Sequence, residues 1–411
     1  MNIAVIKETN PGERRVALVP ANVAPLAKLG CQVQIEAGAG QLAGFRDDAY
    51  RAAGAQVIDD RRRIIEQADV LLQVRVSEGG HPSPAPSPQS PAPTDDLELE
   101  RDGLVVIGMC DPLGNPQLVQ QLAERGVTLF AMELLPRISR AQNMDVLSSM
   151  ATIAGYKAVL LAAGHLPKMF PMMMTAAGTL TPAKVFVIGA GVAGLQAIAS
   201  SRRLGAIVQA YDVRPTVKEQ VESLGAKFVE MPLETAGAEG AGGYAKQLGE
   251  EFYQKQRELM ARVVAASDVC ITTAAIPGKP SPRLITADAV RGMAAGSVIV
   301  DLAAERGGNC ELTRADETVV ENNVTILGPT NLPSEVPTHA SQMFANNLTN
   351  FVKLVTREGR FHLNTQDEVV RETLAAYRGE VVHARLRELL GLPAVQNQPA
   401  GKPPLDHLAV K

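Results

Sequence analysis

The sequence predicts an α/β protein: two doubly wound parallel-sheet domains joined by long helices. Three observations carry this reading. Short apolar runs rich in β-branched residues alternate with helix-length stretches from Asn2 to Phe130, and again from Lys184 onward. A glycine turn in GxGxxG spacing, Gly189-Ala190-Gly191-Val192-Ala193-Gly194, follows directly on the apolar run Lys184–Ile188. After a helical stretch, a second apolar run ends in an acid, Asp212, roughly 20 residues beyond the glycines.

Each part of this motif has a physical task. Gly189 permits the tight turn, Gly191 lets backbone approach a pyrophosphate, and Gly194 lets the helix pack closely on the strand. The helix N-terminus offers unpaired N–H groups and a positive dipole end to phosphates. A carboxylate at Asp212 can accept both ribose hydroxyls of NAD and repels the 2′-phosphate of NADP, although Arg214 lies close by. The motif makes the domains Rossmann-like.

At 411 residues, two domains are the natural division. A hydrophobic share of 46% and a charged share of 20% suit a soluble globular protein with ample core. The net charge of −4 gives no basis for binding nucleic acid or an anionic membrane surface. Cys31, Cys110, Cys270 and Cys310 are scattered without a CxxC, which fits reduced thiols in a cytoplasm and not disulfides or a metal site. The histidines do not cluster, so no metal is expected. Met1 leads directly into a strand, and no signal peptide is expected. Met150–Leu166 is mostly apolar, but Lys157 and His165 interrupt it and it falls short of the ~20 residues of a membrane span. A buried helix between domains is expected there.

In chain order, Asn2–Ile6 reads as the first strand and Lys7–Arg15 as a charged loop. Pro20 opens a helix through Leu29 that Gly30 stops. Cys31–Ile35, Gln56–Ile58 and Val70–Val74 are strands, with helices at Asp47–Ala53 and Arg61–Gln67. Gly79–Thr94 is Pro-rich and low in complexity, a surface insertion to which no function is assigned. The sheet resumes at Leu104–Gly108 and Val127–Phe130, around a helix at Pro116–Arg125. Glu133–Asp145 is a polar loop, and the apolar helix Asp145–His165 is the first connector.

Beyond Asp212 come a helix (Val217–Leu224), a strand (Lys227–Val229), a glycine-rich insertion ending at Gly243-Tyr244, and a charged helix (Ala245–Ala266). Strands follow at Val269–Thr272, Ser297–Val300 and Val324–Leu327, with a helix near Asp288–Met293. The long helix His339–Val355 is expected to return the chain to the first domain. The expected division is residues 1–144 with 338–385, a nucleotide-binding domain 145–337, and a linker or tail 386–411.

No nucleophile–base pair or metal-ligand spacing appears. A dehydrogenase acting on an alcohol or amine needs a general acid/base, and the first domain offers no convincing candidate. Hydride transfer between two nicotinamides needs only positioning and electrostatics. The loop Arg137–Ser148 suits that need: Arg137 offers a rigid fork, Gln142 an amide, Asp145 an anchor for the arginine and Ser148 a hydroxyl. On local chemistry alone, a capped helix with Asp145 in its first turn explains these residues better.

Four blocks lift the reading above local chemistry. Pro136-Arg137-Ile138-Ser139-Arg140-Ala141-Gln142-Asn143-Met144-Asp145, Gly189–Ala197, Asp212-Val213-Arg214-Pro215 and Gly242-Gly243-Tyr244-Ala245-Lys246 closely resemble the soluble NAD(H)-binding portion of the alpha subunit of proton-translocating NAD(P) transhydrogenases. The match runs from Lys7 to about residue 385. The resemblance implies NAD(H) on this chain, and hydride passing to NADP⁺ on a partner subunit, coupled to proton movement across a membrane. It further implies a homodimer, a separate membrane-spanning subunit because the chain ends at Lys411 without such helices, and a peripheral place on the cytoplasmic face.

Site roles are implied residue by residue. Arg137, Ile138, Ser139, Arg140, Gln142, Asp145 and Ser148 belong to the loop that orients the nicotinamide. Arg137, Gln142, Asp145 and Ser148, with Tyr244, are the residues expected to serve the reaction itself. Val192 belongs to the glycine turn, and Asp212, Val213 and Arg214 lie along the adenosine ribose. Gly243 and Tyr244 fall in a loop that closes over nucleotide, and Gln256 and Ala275 match further contacts. The rival reading is a stand-alone amino-acid dehydrogenase of the related alanine type. That enzyme carries a catalytic histidine after a strand, where this chain has Val105-Val106-Ile107-Gly108-Met109-Cys110. Asp301 matches an aspartate of that enzyme, but without the histidine it is expected to be structural. A non-catalytic NAD-sensing module is the third reading.

Overall fold

A computed structural model of the chain describes residues 1–76, 102–230, 250–276 and 278–394, with side chains in the third stretch from residue 254. The Pro-rich stretch Gly79–Thr94, the Gly242-Gly243-Tyr244 turn and most of the tail lie outside the described residues. Met1–Met150 with Ser334–Lys411 form one unit and Ala151–Pro333 the other.

In the first unit, β1 (Asn2–Val5), β2 (Gln32–Glu36), β3 (Gln56–Ile58), β4 (Val70–Arg75), β5 (Val105–Met109) and β6 (Thr128–Ala131) pair in parallel, with β1 between β2 and β4. Ala4, Leu71, Val106 and Leu129 share one core. Their neighbours Ile3, Val5, Leu72, Ile107 and Phe130 are also fully buried. Both faces of the sheet are covered, so the strands read as unbroken apolar runs and not as alternating ones.

The second unit begins with an exposed hairpin, β7 (Met173–Thr175) and β8 (Gly178–Leu180). Its main sheet comprises β9 (Lys184–Ile188), β10 (Ile207–Tyr211), β11 (Lys227–Phe228), β12 (Val269–Thr272), β13 (Val298–Asp301), β14 (Thr318–Glu321) and β15 (Val324–Leu327). The order is β11-β10-β9-β12-β13-β15-β14. The connection reverses direction between β9 and β12, the switch point beside which such sheets bind ligands. Along β9, Val185 and Val187 enter one core while Phe186 and Ile188 enter the other.

The chain closes with a small hairpin, β16 (Thr356–Arg357) and β17 (Arg360–Phe361), then β18 (Leu374–Tyr377) and β19 (Glu380–Val381). β18 pairs antiparallel with β6, and β19 with β18, completing an eight-stranded sheet. The expectation of purely parallel sheets is corrected at these edges and at β14, which runs antiparallel to β15. The links Asn322-Asn323, Glu358-Gly359 and Arg378-Gly379 all have positive φ at both residues, as two-residue hairpins require. Only the asparagine pair signals such a turn strongly by residue type.

Other boundaries also differ from expectation. The helix expected from Pro20 splits into a 3-10 turn (Pro20–Asn22) and a helix (Val23–Ala27). A helix continuous from Pro20 would need an N–H at Pro25, whereas restarting at Val23 places that proline in the first turn. The helix Val146–His165 is long and apolar enough to cross a membrane, so length alone does not exclude a span. Its Ala158, Val159 and Ala162 nevertheless lie in the core of the second unit. The chain re-enters the first unit at Ser334, before the helix Pro337–Leu354. The segment expected as linker from residue 386 is helical through Leu389, with Leu386 fully buried. The charged loop Lys7–Arg15 folds inward. Glu13 accepts from Arg15 Nε and Nη2 at 2.7 and 2.6 Å and from Ser334 Oγ at 2.5 Å. Burial alone would raise its carboxyl, but the Arg15 contacts prevail and hold it at about 2.

Candidate functional site

In the first unit, β6 leads through a 3-10 turn (Met132–Leu134) to Pro136 and a 3-10 helix, Ser139–Met144. The sequence then reaches Asp145, which caps the helix Val146–His165. Its Oδ1 accepts from the Ser148 N–H at 2.9 Å and its Oδ2 from the Ser148 hydroxyl at 2.6 Å. This is the N-cap bond to the third helical residue. Pro136, Arg137, Ile138, Ala141, Gln142, Asp145 and Ser148 line a cleft of about 370 Å³, within the size range of small-molecule sites.

Five of the predicted nicotinamide-loop residues therefore meet in one cleft. Arg137 and Gln142 reach solvent there. Ser139 and Arg140 are not among its lining residues. Arg140 instead pairs with Asp367, Nη1 to Oδ2 and Nη2 to Oδ1, both at 2.9 Å. Glu133, just before the loop, accepts at Oε1 from the Asp111 N–H at 2.8 Å. Burial pushes its carboxyl up to about 7.

In the second unit, Gly189 turns the chain out of β9 with φ +96°, and Gly191 ends the turn as N-cap of the helix Val192–Arg203. A Cβ at Gly194 would stand 1.8 Å from the Gly189 carbonyl oxygen, so only glycine lets this helix sit on the strand. A Cβ at Gly191 would meet nothing within 4 Å. That open space lies beside the helix N-terminus, where Val192 is partly exposed, and a pyrophosphate fits there.

Asp212 faces the turn: its Oδ2 accepts from the Ala190 N–H at 2.8 Å. Arg214 holds the same carboxylate through Nε and Nη2, and half-buried Val213 lies between them. Gln256 is buried and donates from Nε2 to the Tyr211 hydroxyl at 2.9 Å, while its Oε1 is buried without a partner. Ala275 is exposed on the loop after β12. Gly243 and Tyr244 lie outside the described residues.

Several supports escaped sequence reasoning. Thr273 donates from Oγ1 to the Gly189 carbonyl at 3.0 Å, tying the β12 loop to the glycine turn. Asn309 pairs with both the N–H and the carbonyl of Ala274. Asp301 is buried and accepts from Thr272, Ala303, Asn309, Cys310 and Thr313. It buttresses the loop, in agreement with the structural role expected for it. Gly155 abuts the Ala193 carbonyl, where a Cβ would come within 2.1 Å. None of these has a spacing signature.

Two doubly wound sheets, with a glycine turn and a facing carboxylate at the switch point of one, define a nicotinamide-nucleotide-binding protein of the Rossmann type. Comparison with known proteins agrees. Residues 4–154 match the alanine dehydrogenase/PNT N-terminal domain and residues 158–384 the alanine dehydrogenase/PNT C-terminal domain. The chain is 47% identical over 389 residues to an NAD(P) transhydrogenase subunit alpha chain of Rhodospirillum rubrum, covering 94% of this chain and 99% of that one. The crystal structure of transhydrogenase from Sinorhizobium meliloti superposes with a TM-score of 0.77 at 42% identity, covering 94% of this chain and 100% of that one. Alanine dehydrogenase of Bacillus subtilis is more distant, 27% identical over 412 residues and 97% of each chain. The chain belongs to the alanine dehydrogenase/PNT family of oxidoreductases, as a transhydrogenase alpha-type subunit.

Proposed function

We propose that this chain is the NAD(H)-binding subunit of a proton-translocating transhydrogenase, active with partner subunits. One partner holds NADP(H), and a membrane-spanning one couples the reaction to proton movement. When bound, NADH supplies a hydride from nicotinamide C4, which passes directly to NADP⁺ and leaves NAD⁺ and NADPH. The observation that carries this reading is the chemistry of the Arg137–Ser148 cleft. It offers a guanidinium, an amide and a hydroxyl, while its carboxylate, Asp145, is bonded to the helix start through Ser148. Such a cleft orients a ring without exchanging protons at the reacting carbons.

Each predicted residue then has a task. Gly189, Gly191, Val192 and Gly194 present backbone and the helix N-terminus to the pyrophosphate. Asp212, Val213 and Arg214 take the adenosine ribose. Arg137 and Gln142 hold the nicotinamide carboxamide, with Ile138 against the ring. Asp145 fixes Ser148. Gly243 and Tyr244 close over the nucleotide, and Gln256 and Ala275 complete its surroundings. The apolar hairpin carrying Met172, Met173, Met174 and Leu180, all exposed, supports a homodimer. The subunit sits peripherally on the cytoplasmic face through its partners.

The test is single-turnover hydride transfer from NADH to an NADP⁺ analogue on a purified NADP-binding partner. Transfer is expected only when both chains are present. Reduction of NAD⁺ by alanine with this chain alone would instead establish the amino-acid dehydrogenase.

A further inference from the structure

We infer that the C-terminal return of the chain clamps the nicotinamide loop, with Asp367 on Arg140 and Asn347 and Asn350 on Asn143 as positioning residues for hydride transfer. This rests on the function proposed above. All the contacts lie within the first unit.

The loop needs outside support. Its Ser139–Met144 segment is six residues of 3-10 helix, longer than the three or four residues such helices usually sustain, because their hydrogen bonds are poorly aligned. Carbonyls at the end of such a helix lack partners within it. The Asn143 carbonyl accepts from Asn347 Nδ2 at 2.9 Å and from Asn350 Nδ2 at 3.2 Å, both on the helix Pro337–Leu354. Arg140 is held by the bidentate pair to Asp367. That anchor is itself fixed, because Asp367 Oδ1 also caps the helix Glu368–Thr373 through the N–H groups of Val369 and Val370. The clamp thus joins two helices of the return segment to the stretch between Arg137 and Asp145.

The pair is built for geometry and not for stability. The Arg140 and Asp367 side chains are 48% and 21% exposed, and pairs this open contribute only about 0–1 kcal/mol. Misplacing a reacting group by about 1 Å can cost on the order of 10²-fold in rate. A contact of little value to the fold can therefore matter greatly to the reaction. This assigns Arg140 a place behind the loop and not against the nucleotide.

The test compares the full wild-type chain with Asp367→Asn, Asn350→Ala and the double variant. Asparagine caps a helix as well as aspartate, so Asp367→Asn removes the charged pair and keeps the cap. Without nucleotide, amide exchange across Ser139–Asp145 is expected to quicken ~5-fold or more in Asp367→Asn, and further in the double variant. With NADH and an NADP⁺-loaded partner, the hydride step is expected to slow ~5-fold or more while the NADH Kd moves less than ~2-fold. Unchanged exchange, an unchanged hydride step, or an affinity loss equal to the rate loss would each overturn the clamp. The last would make Arg140 a nucleotide contact. If the wild-type chain transfers no hydride, the proposed function fails instead, and the exchange measurement alone decides whether the return segment holds the loop.

Discussion

Arg214 grips Asp212 with two arms of its guanidinium: Nε lies 2.9 Å from Oδ1 and Nη2 lies 2.8 Å from Oδ2. The same carboxylate accepts the backbone N–H groups of Arg214 and Ala190. The acid that selects the ribose is thus oriented by both the glycine turn and its own strand end. A hydrogen bond to a charged group is worth ~1.5–3 kcal/mol, and tenfold in affinity is ~1.4 kcal/mol. Asp212→Asn is expected to weaken NADH binding ~10-fold and to change NADPH binding much less, narrowing the preference between them. Titration calorimetry with both nucleotides measures this, and an unchanged NADH affinity removes Asp212 from the ribose site.

Gly191 and Gly194 separate binding from folding. Alanine at Gly191 enters open space at a φ of −77°, so the melting temperature should stay within ~2 °C while the methyl obstructs the pyrophosphate and NADH affinity falls at least ~10-fold. Alanine at Gly194 collides with the Gly189 carbonyl. Overpacking of this kind costs ~1–3 kcal/mol or more, so the melting temperature should fall by ~5 °C or more. Equal melting curves for the two variants would contradict the packing assigned to Gly194.

Gln142 is exposed in the Arg137 cleft and carries no titratable group. Shortening it to Asn should slow the single-turnover hydride step at least ~10-fold with saturating partner and nucleotides, leaving NADH affinity nearly unchanged. The wild-type step should vary little across neutral pH. Stopped-flow spectrophotometry reads both. A steep bell-shaped profile would point to a catalytic acid and favour the dehydrogenase.

Glu133 should make stability depend on pH. Its carboxyl titrates near 4.5 when unfolded and about 7 when folded, because burial disfavours the charge. Its contribution is complete below pH 4.5. Between 4.5 and 7 the unfolded chain gives up the proton while the folded chain keeps it, so that contribution declines as pH rises. The melting temperature of Glu133→Gln relative to wild type should therefore rise by ~3 °C or more from pH 4.5 to 7.5. A constant difference would show that Glu133 does not titrate in this way.

The hairpin supplies a test of assembly. Met174 is 77% exposed at its centre. Met174→Asp should shift the chain from dimer to monomer in sedimentation equilibrium at micromolar concentration, with the melting curve of the separated subunit preserved. A wild-type monomer, or an unaffected dimer, places the interface elsewhere.

The stretch from Lys184 to Asp212 was legible as strand, glycine turn, helix, strand and acid because each contact it makes is local. The turn follows β9, the helix follows the turn, and the acid ends the neighbouring strand in register, with Tyr211 opposite Ile188. The two-sheet class was equally legible, since doubly covered strands must be continuously apolar. The sequence by itself also determined the candidate loop, whose residues Arg137, Gln142, Asp145 and Ser148 meet in one cleft. Tertiary structure alone decided what holds that loop. Asp367 meets Arg140 across 227 residues of chain, and Asn347 meets Asn143 across 204. The antiparallel edges β18 and β19 depend likewise on where the chain returns. Such partners are chosen by the path of the backbone between them, and a side chain that finds its partner through that path leaves no periodicity or spacing to be read.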